Sequence, residues 1–416
     1  MKKLILFFLF FLLPPFFSLL LLMIVCSKKE SGKGMLIPLV AVLSLIGIYW
    51  FQAGDNQSHF AYYYTDVVSY YSDFSIFSAY WFYDSVIKYV ADFLGQYVWG
   101  YYFWLFIPLS LFVTCVWKGI QKEENHLLLL VLFTMMFLGI RYYLDLNRNT
   151  VAVLLLTLSI FLFRKHAFVA LVIAFVSLLL HATSWLLLLL LPVTYLLFKN
   201  ISAGKMKVLL VMLVMFSYFI VGFVAPYVMS ERNADAYLSE GWQDNRGVNS
   251  GFMYVISWLD LIACFLQSLF ILSHKSEIPK VQYSFFLTSV LLLCSTFALF
   301  VTRERFTLSS NIIAAAIILS NWSKLRKGVC LRNKVILVNL LNRLFVLRLC
   351  MNFLLLYSSH FIFHSATTNN AKEFAIVSKI FYMPTALLID IDSYGFNDKA
   401  YMQLYNRVNE DISKEM

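Results

Sequence analysis

The sequence predicts an all-α protein, a polytopic bundle of transmembrane helices, and three observations carry that prediction. The chain is 61% hydrophobic and only 13% charged, with a mean hydropathy of +0.75. A soluble domain carries about 25% charged residues, so half the usual polar surface is missing. Apolar runs of about 20 residues recur from end to end, the length a bilayer core demands of one helix. These runs are continuous rather than alternating. Backbone groups in lipid must be paired within a segment or around a closed barrel, and continuous runs select helices.

Twelve candidate spans follow, at 4–25, 35–51, 98–117, 126–140, 148–163, 167–181, 184–198, 208–229, 251–273, 281–301, 306–322 and 334–357. The first contains Pro14–Pro15, which predicts a kinked or re-entrant segment. It is too long for a signal-peptide apolar region and lacks a small-residue cleavage site. The run 166–198 is too long for one span, and His181 to Ser184 supplies a tight turn that splits it.

Loop charge sets the orientation. One set of alternate loops holds Lys28, Lys29 and Lys33, then Lys118 and Lys122, Arg164 and Lys165, Lys199, Lys205 and Lys207, Lys275 and Lys280, and finally Lys324, Arg326, Lys327, Arg332 and Lys334. That set is expected in the cytoplasm. The acidic, aromatic segment 52–97, the loops 141–147 and 230–250, the turn 302–305 and the tail 358–416 are expected outside. Lys2 and Lys3 run against this orientation. The division is a membrane domain, 1–357, and an outer tail, 358–416. No internal repeat is visible, which argues weakly against a secondary transporter.

The net charge of +10 does not mark a nucleic-acid binder, because the basic residues lie in short loops and form no contiguous patch. Orientation signals and lipid headgroups account for them. The six cysteines lie within or beside apolar runs without a CxxC pair, so neither a disulfide framework nor a metal cluster is expected.

Charge is costly near a membrane, so each charged residue there needs a reason. In Arg141-Tyr-Tyr-Leu-Asp145-Leu-Asn-Arg148-Asn149, a helical reading places Arg141, Asp145 and Arg148 on one face. Two guanidinium groups there could hold a diphosphate bidentately, with Asp145 orienting one of them. A salt-bridged loop at headgroup level is the plainer reading. His181 ends its helix before Ala182-Thr183-Ser184, where it could shuttle a proton or serve as a hydrogen-bonded turn residue. Arg303-Glu304-Arg305 closes another outer turn; positions i and i+2 diverge, so one arginine is expected to point inward. Segment 52–97 interleaves Asp55, Asp66, Asp73, Asp84 and Asp92 with Tyr62, Tyr63, Tyr64, Tyr70, Tyr71, Tyr80, Trp81 and Tyr83. That pattern fits an interfacial aromatic belt or a sugar-stacking surface, and the belt leaves the carboxylates unexplained. Arg343 and Arg348, near Asn339, Asn342 and Asn352, face an internal cavity or lie along the cytoplasmic surface.

The series Arg148-Asn-Thr-Val-Ala152, the basic turn Arg164-Lys165, and His181-Ala-Thr-Ser resembles the EpsG-like branch of bacterial polysaccharide polymerases, relatives of the Wzy O-antigen polymerases. Thr65-Asp66-Val-Val-Ser-Tyr70 resembles the family's outer Asp…Tyr segment. Arg303-Glu-Arg305-Phe306 resembles its late arginine turn, and Met383-Pro384 its proline-containing outer segment. The motifs are short; their order along most of the chain carries the resemblance. It implies a glycosyltransferase of the inner membrane that joins oligosaccharide repeats carried on undecaprenyl diphosphate, without nucleotide sugar, other cofactor or metal. Implied partners are that lipid-linked oligosaccharide, membrane lipid and a chain-length regulator protein, with no nucleic acid. Arg141, Arg148, Arg303, Arg305 and Tyr70 become the substrate-binding candidates. His181, Asp145, Asp66 and Glu304 become the acid–base candidates. The alternatives are a flippase for lipid-linked sugars, an O-antigen ligase and, with less support, a membrane acyltransferase.

Overall fold

The computed structural model describes residues 8–27, 38, 40–42, 44–46, 93, 97–116, 147–198, 201–228, 251–322, 324–325, 347, 379 and 381–388. Their helices are α1 (Pro15–Ser27), α2 (Tyr97–Val116), α3 (Asn147–Leu162), α4 (Ala167–Leu180), α5 (Ala182–Phe198), α6 (Ala203–Val228), α7 (Gly251–Ser273), α8 (Lys280–Ser295), α9 (Phe300–Ser320) and α10 (Thr385–Leu388). No strand occurs among the described residues. The loops 52–92, 118–146 and 230–250, most of the tail, and Lys2, Lys3, Arg343 and Arg348 lie outside the described residues. So do most of the spans at 35–51 and 334–357 and all of that at 126–140.

Proline chemistry shapes the first segment. Pro14 and Pro15 carry no N–H, so the carbonyls of Phe10 and Phe11 lose their helical donors. The chain kinks there. The Ser18 hydroxyl turns back to the Phe10 carbonyl at 2.9 Å. The Leu13 carbonyl receives the Thr385 N–H at 2.9 Å and the Thr385 hydroxyl at 2.7 Å. Phe381 stacks on Phe16 with ring centroids 4.9 Å apart. The Met383–Leu388 stretch therefore clasps the kink.

The bundle centres on α3 and α9. Helix α3 packs on α4, α2, α9 and α5, while α9 packs on α8, α7 and α3. The core is aliphatic and aromatic, with Phe112, Phe270, Phe285 and Phe286 fully buried. Small polar residues tie the helices together. Ser159 donates to the Ala170 carbonyl at 2.7 Å, and Ser177 bonds the Ala152 carbonyl and the Ser184 hydroxyl, each at 2.7 Å. Thr194 meets Thr288 at 2.7 Å between α5 and α8. Gln267 donates to Asn311 Oδ1, and Asn311 Nδ2 to the Asp260 carbonyl, both at 3.0 Å, between α7 and α9. Such bonds hold helices together where lipid removes the hydrophobic drive for helix association.

The outer surface of the bundle is apolar. Phe168, Leu171 and Phe175 on α4, and Val211, Met215, Phe219 and Phe223 on α6, are exposed. Among the described residues one helical stretch, Ala203–Val221, is long and apolar enough to cross a membrane by itself, and six further apolar helices are 10–17 residues long.

Two turns differ from the sequence reading. The break between α4 and α5 is confined to His181, in extended backbone at φ −160° and ψ 142°, with α5 restarting at Ala182. The turn expected at 302–305 lies instead at 296–299. Helix α8 ends at Ser295, where the hydroxyls of Ser295 and Thr296 bond back to the Leu292 carbonyl at 3.1 and 2.8 Å. Arg303, Glu304 and Arg305 consequently sit on the first turns of α9. Arginine and glutamate are good helix formers, so nothing in their chemistry favours a loop.

Candidate anion-binding site at the α3, α5 and α9 N-termini

The starts of three helices at one end of the bundle carry two sequence-distant arginines and a histidine. Arg148 is the second residue of α3 and is half-buried. The first turn of a helix has backbone N–H groups with no intrahelical acceptor and a positive dipole end, so Arg148 stands where an anion is already favoured.

His181 caps α5. Its Nδ1 accepts the Thr183 backbone N–H at 3.1 Å and lies 2.9 Å from the Thr183 hydroxyl. A ring nitrogen that accepts an N–H carries no proton, so the neutral imidazole has its proton on Nε2. The ring lies in the break between α4 and α5, outside both helices. Burial first, then the positive charges of Arg305 and Arg148, hold its pKa well below the ordinary histidine range. The charges of those two residues act on His181 from α9 and α3, although 157 residues separate them in the chain.

Arg305 is half-buried one turn into α9, with its Nε inside the protein. Arg303 turns elsewhere. Its guanidinium lies over the Trp258 ring of α7 at 5.6 Å and the Phe297 ring at 5.2 Å. Glu304 between them is half-exposed. Thus Arg148 and Arg305 lie close enough for their charges to act on His181, and Arg303 braces α9 against α7. Asp66, Tyr70, Arg141 and Asp145 lie outside the described residues. Among the described residues no group of three His, Cys, Asp or Glu side chains could hold a metal ion.

The sequence reading overlooked three buried polar residues. Thr183 fixes the His181 tautomer. Asn149, beside Arg148, is 2% exposed. Asp260 is 1% exposed on α7, where its backbone carbonyl accepts the Asn311 amide. Asp260 was findable, since it is the one charged residue in the apolar run 251–273. Asn149 was hidden by the more conspicuous arginine beside it.

The chain matches the EpsG family model over residues 35–370. No curated protein sequence and no solved structure matches it. The matched stretch contains Arg148, His181 and Arg305 and covers most of the chain, so this is a membrane protein of polysaccharide biosynthesis and belongs to the EpsG family.

Proposed function

We infer that the chain is a multi-pass inner-membrane glycosyltransferase that polymerises oligosaccharide repeats carried on undecaprenyl diphosphate at the outer face. The observation that supports it most is the meeting of Arg148 and Arg305 around a neutral, Nε2-protonated His181 at a set of helix N-termini. Two cationic forks and a ring N–H are suited to a diphosphate and ill-suited to a cation or an apolar ligand.

In this reading the acceptor's hydroxyl oxygen attacks the anomeric carbon of the donor's first sugar. The bond from that carbon to the diphosphate oxygen breaks, and its electron pair stays on the phosphate. Negative charge therefore grows where Arg148, Arg305 and His181 Nε2–H stand, and donors placed there stabilise the transition state more than the ground state. The hydroxyl proton goes to a base. His181 could accept it only in the opposite tautomer, by giving up the Thr183 N–H bond, so the local geometry makes it a donor. Glu304, with Asp145 and Asp66, remains for the base. The acidic, aromatic segment 52–97 would supply sugar contacts, and the whole array belongs on the outer side by the charge of its loops. Membrane lipid and a chain-length regulator protein complete the proposed partners.

Arg148 is the test. Lysine keeps the charge but loses the planar fork. Arg148→Lys should lose most activity and Arg148→Ala at least as much, with both reaching the membrane in normal amount. A lost bidentate contact that tightens in the transition state should cost about 3 kcal/mol, roughly a hundredfold in rate. Glycan length on gels, normalised to protein, measures this. Wild-type length in Arg148→Ala removes Arg148 from the site and leaves Arg305. Deleting the gene should leave acceptors capped with single repeats; repeats trapped inside would point to a flippase instead.

A further inference from the structure

Asn149 is the conspicuous orphan of the bundle. Its side chain is 2% exposed, and neither Oδ1 nor Nδ2 has a hydrogen-bond partner among the described residues. The other buried amides behave differently. Asn311 uses Oδ1 for Gln267 and Nδ2 for the Asp260 carbonyl, and Asn321 donates to Gln282 at 2.9 Å. A buried polar group left unbonded is destabilising, and a leucine of similar size would avoid the cost. An amide kept there needs a use that the folded chain alone does not provide.

Its place narrows that use. Asn149 follows Arg148 in the first turn of α3, at the end where Arg305 and His181 gather. A carboxamide presents an acceptor and a donor side by side. Phosphate oxygens only accept, so they would leave Oδ1 facing like charge. Adjacent hydroxyls on a sugar ring each donate and accept, and they meet both halves of the fork. In a lipid-linked donor the first sugar is bonded directly to the diphosphate. A diphosphate held by Arg148 therefore delivers that sugar next to Asn149.

We propose that Asn149 is a sugar-binding, specificity-determining residue, whose carboxamide pairs with adjacent hydroxyls of the sugar attached to the diphosphate. The assignment rests on the reading that Arg148 holds the diphosphate.

Asn149→Leu separates this role from a structural one. The purified full-length variant in detergent should melt at or above the wild-type temperature, because an unmet buried amide has been removed. It should bind undecaprenyl diphosphate, which has no sugar, within twofold of wild type. Chain extension on lipid-linked repeats extracted from a deletion strain should fall at least tenfold. A lower melting temperature makes Asn149 structural and overturns the proposal. A loss of undecaprenyl diphosphate binding equal to that of Arg148→Ala makes it a phosphate ligand and also overturns it. If Arg148→Ala loses binding while Asn149→Leu extends normally, the diphosphate reading stands and the sugar assignment falls. If wild type and Arg148→Ala bind undecaprenyl diphosphate equally, both fall.

Discussion

A single hydrogen bond decides what His181 can do. Because Thr183 N–H occupies Nδ1, the useful ring atom is Nε2–H, and an amide can stand in for either nitrogen. His181→Gln can place an N–H near the Nε2 position. His181→Asn keeps only the capping acceptor near Nδ1. Chain extension should be at least tenfold faster in the glutamine variant; the reverse order would refute the donor role. The pH dependence follows from the lowered pKa. The folded protein prefers neutral His181, so the stability this gives is present above the ordinary histidine pKa and declines as pH falls below it. Protonating Nδ1 would keep Nε2–H but break the bond from the Thr183 N–H that holds the ring, so the acid limb that His181 gives kcat/KM should lie well below pH 6.5, the ordinary histidine value. A bound diphosphate offsets the two arginines, so the limb of kcat should lie at higher pH than that of kcat/KM. Coincident limbs would mean that no anion binds beside the ring. Arg148, His181 and Arg305 were each legible in sequence because charge in an apolar chain is costly. Their meeting was not, since it depends on how α9 packs on α3, and local sequence does not encode that. Asn149 carries no charge, and its isolation exists only in three dimensions.

At the scale of elements, polar links decide which helices stay together. Asn311 joins α9 to α7 at two points, and Asn311→Leu should cost about 1 kcal/mol of helix association. Unfolding in mixed detergent would measure it, and an unchanged midpoint would mean the α7–α9 pair is held by packing alone. The clasp on the kink offers a second measurement. Thr385→Val removes one of the two Thr385 donors to the Leu13 carbonyl and should cost about 1 kcal/mol. Thr385→Pro removes the N–H as well and should cost more, read as a lower melting temperature. Helix positions were legible wherever a basic or proline-bearing turn separated apolar runs, as at Arg164–Lys165 between α3 and α4. The 296–299 turn was misplaced because charge was taken to mark a turn, whereas α8 ends at Ser295 and Arg303, Glu304 and Arg305 continue as helix in α9. The clasp was half visible: Pro14–Pro15 announced a kink, but nothing local announced that the stretch after Pro384 would complete it.

For the whole molecule, the proposed outer site requires one orientation. Reporter fusions after residue 90, near 240 and near 400 should read as outside, and fusions near 120, 203 and 328 as cytoplasmic. A cytoplasmic signal near 240 would invert the placement of every proposed residue. Inside the described bundle the charges already divide by end. The starts of α3, α5 and α9 carry the candidate site, and the far end carries exposed Arg164 and Lys165 and the Lys275 ammonium, bonded to the Ile201 carbonyl at 2.8 Å. The clasp also gives biogenesis a clock. Leu13 waits for a partner 372 residues downstream. At a synthesis rate of about 5–20 residues per second, that interval is roughly 20–70 s. The kinked segment therefore leaves the ribosome early and is finished late. Until then the Ser18 hydroxyl, 3.3 Å away, is the carbonyl's local donor, and the kink stands without the two shorter bonds that Thr385 brings.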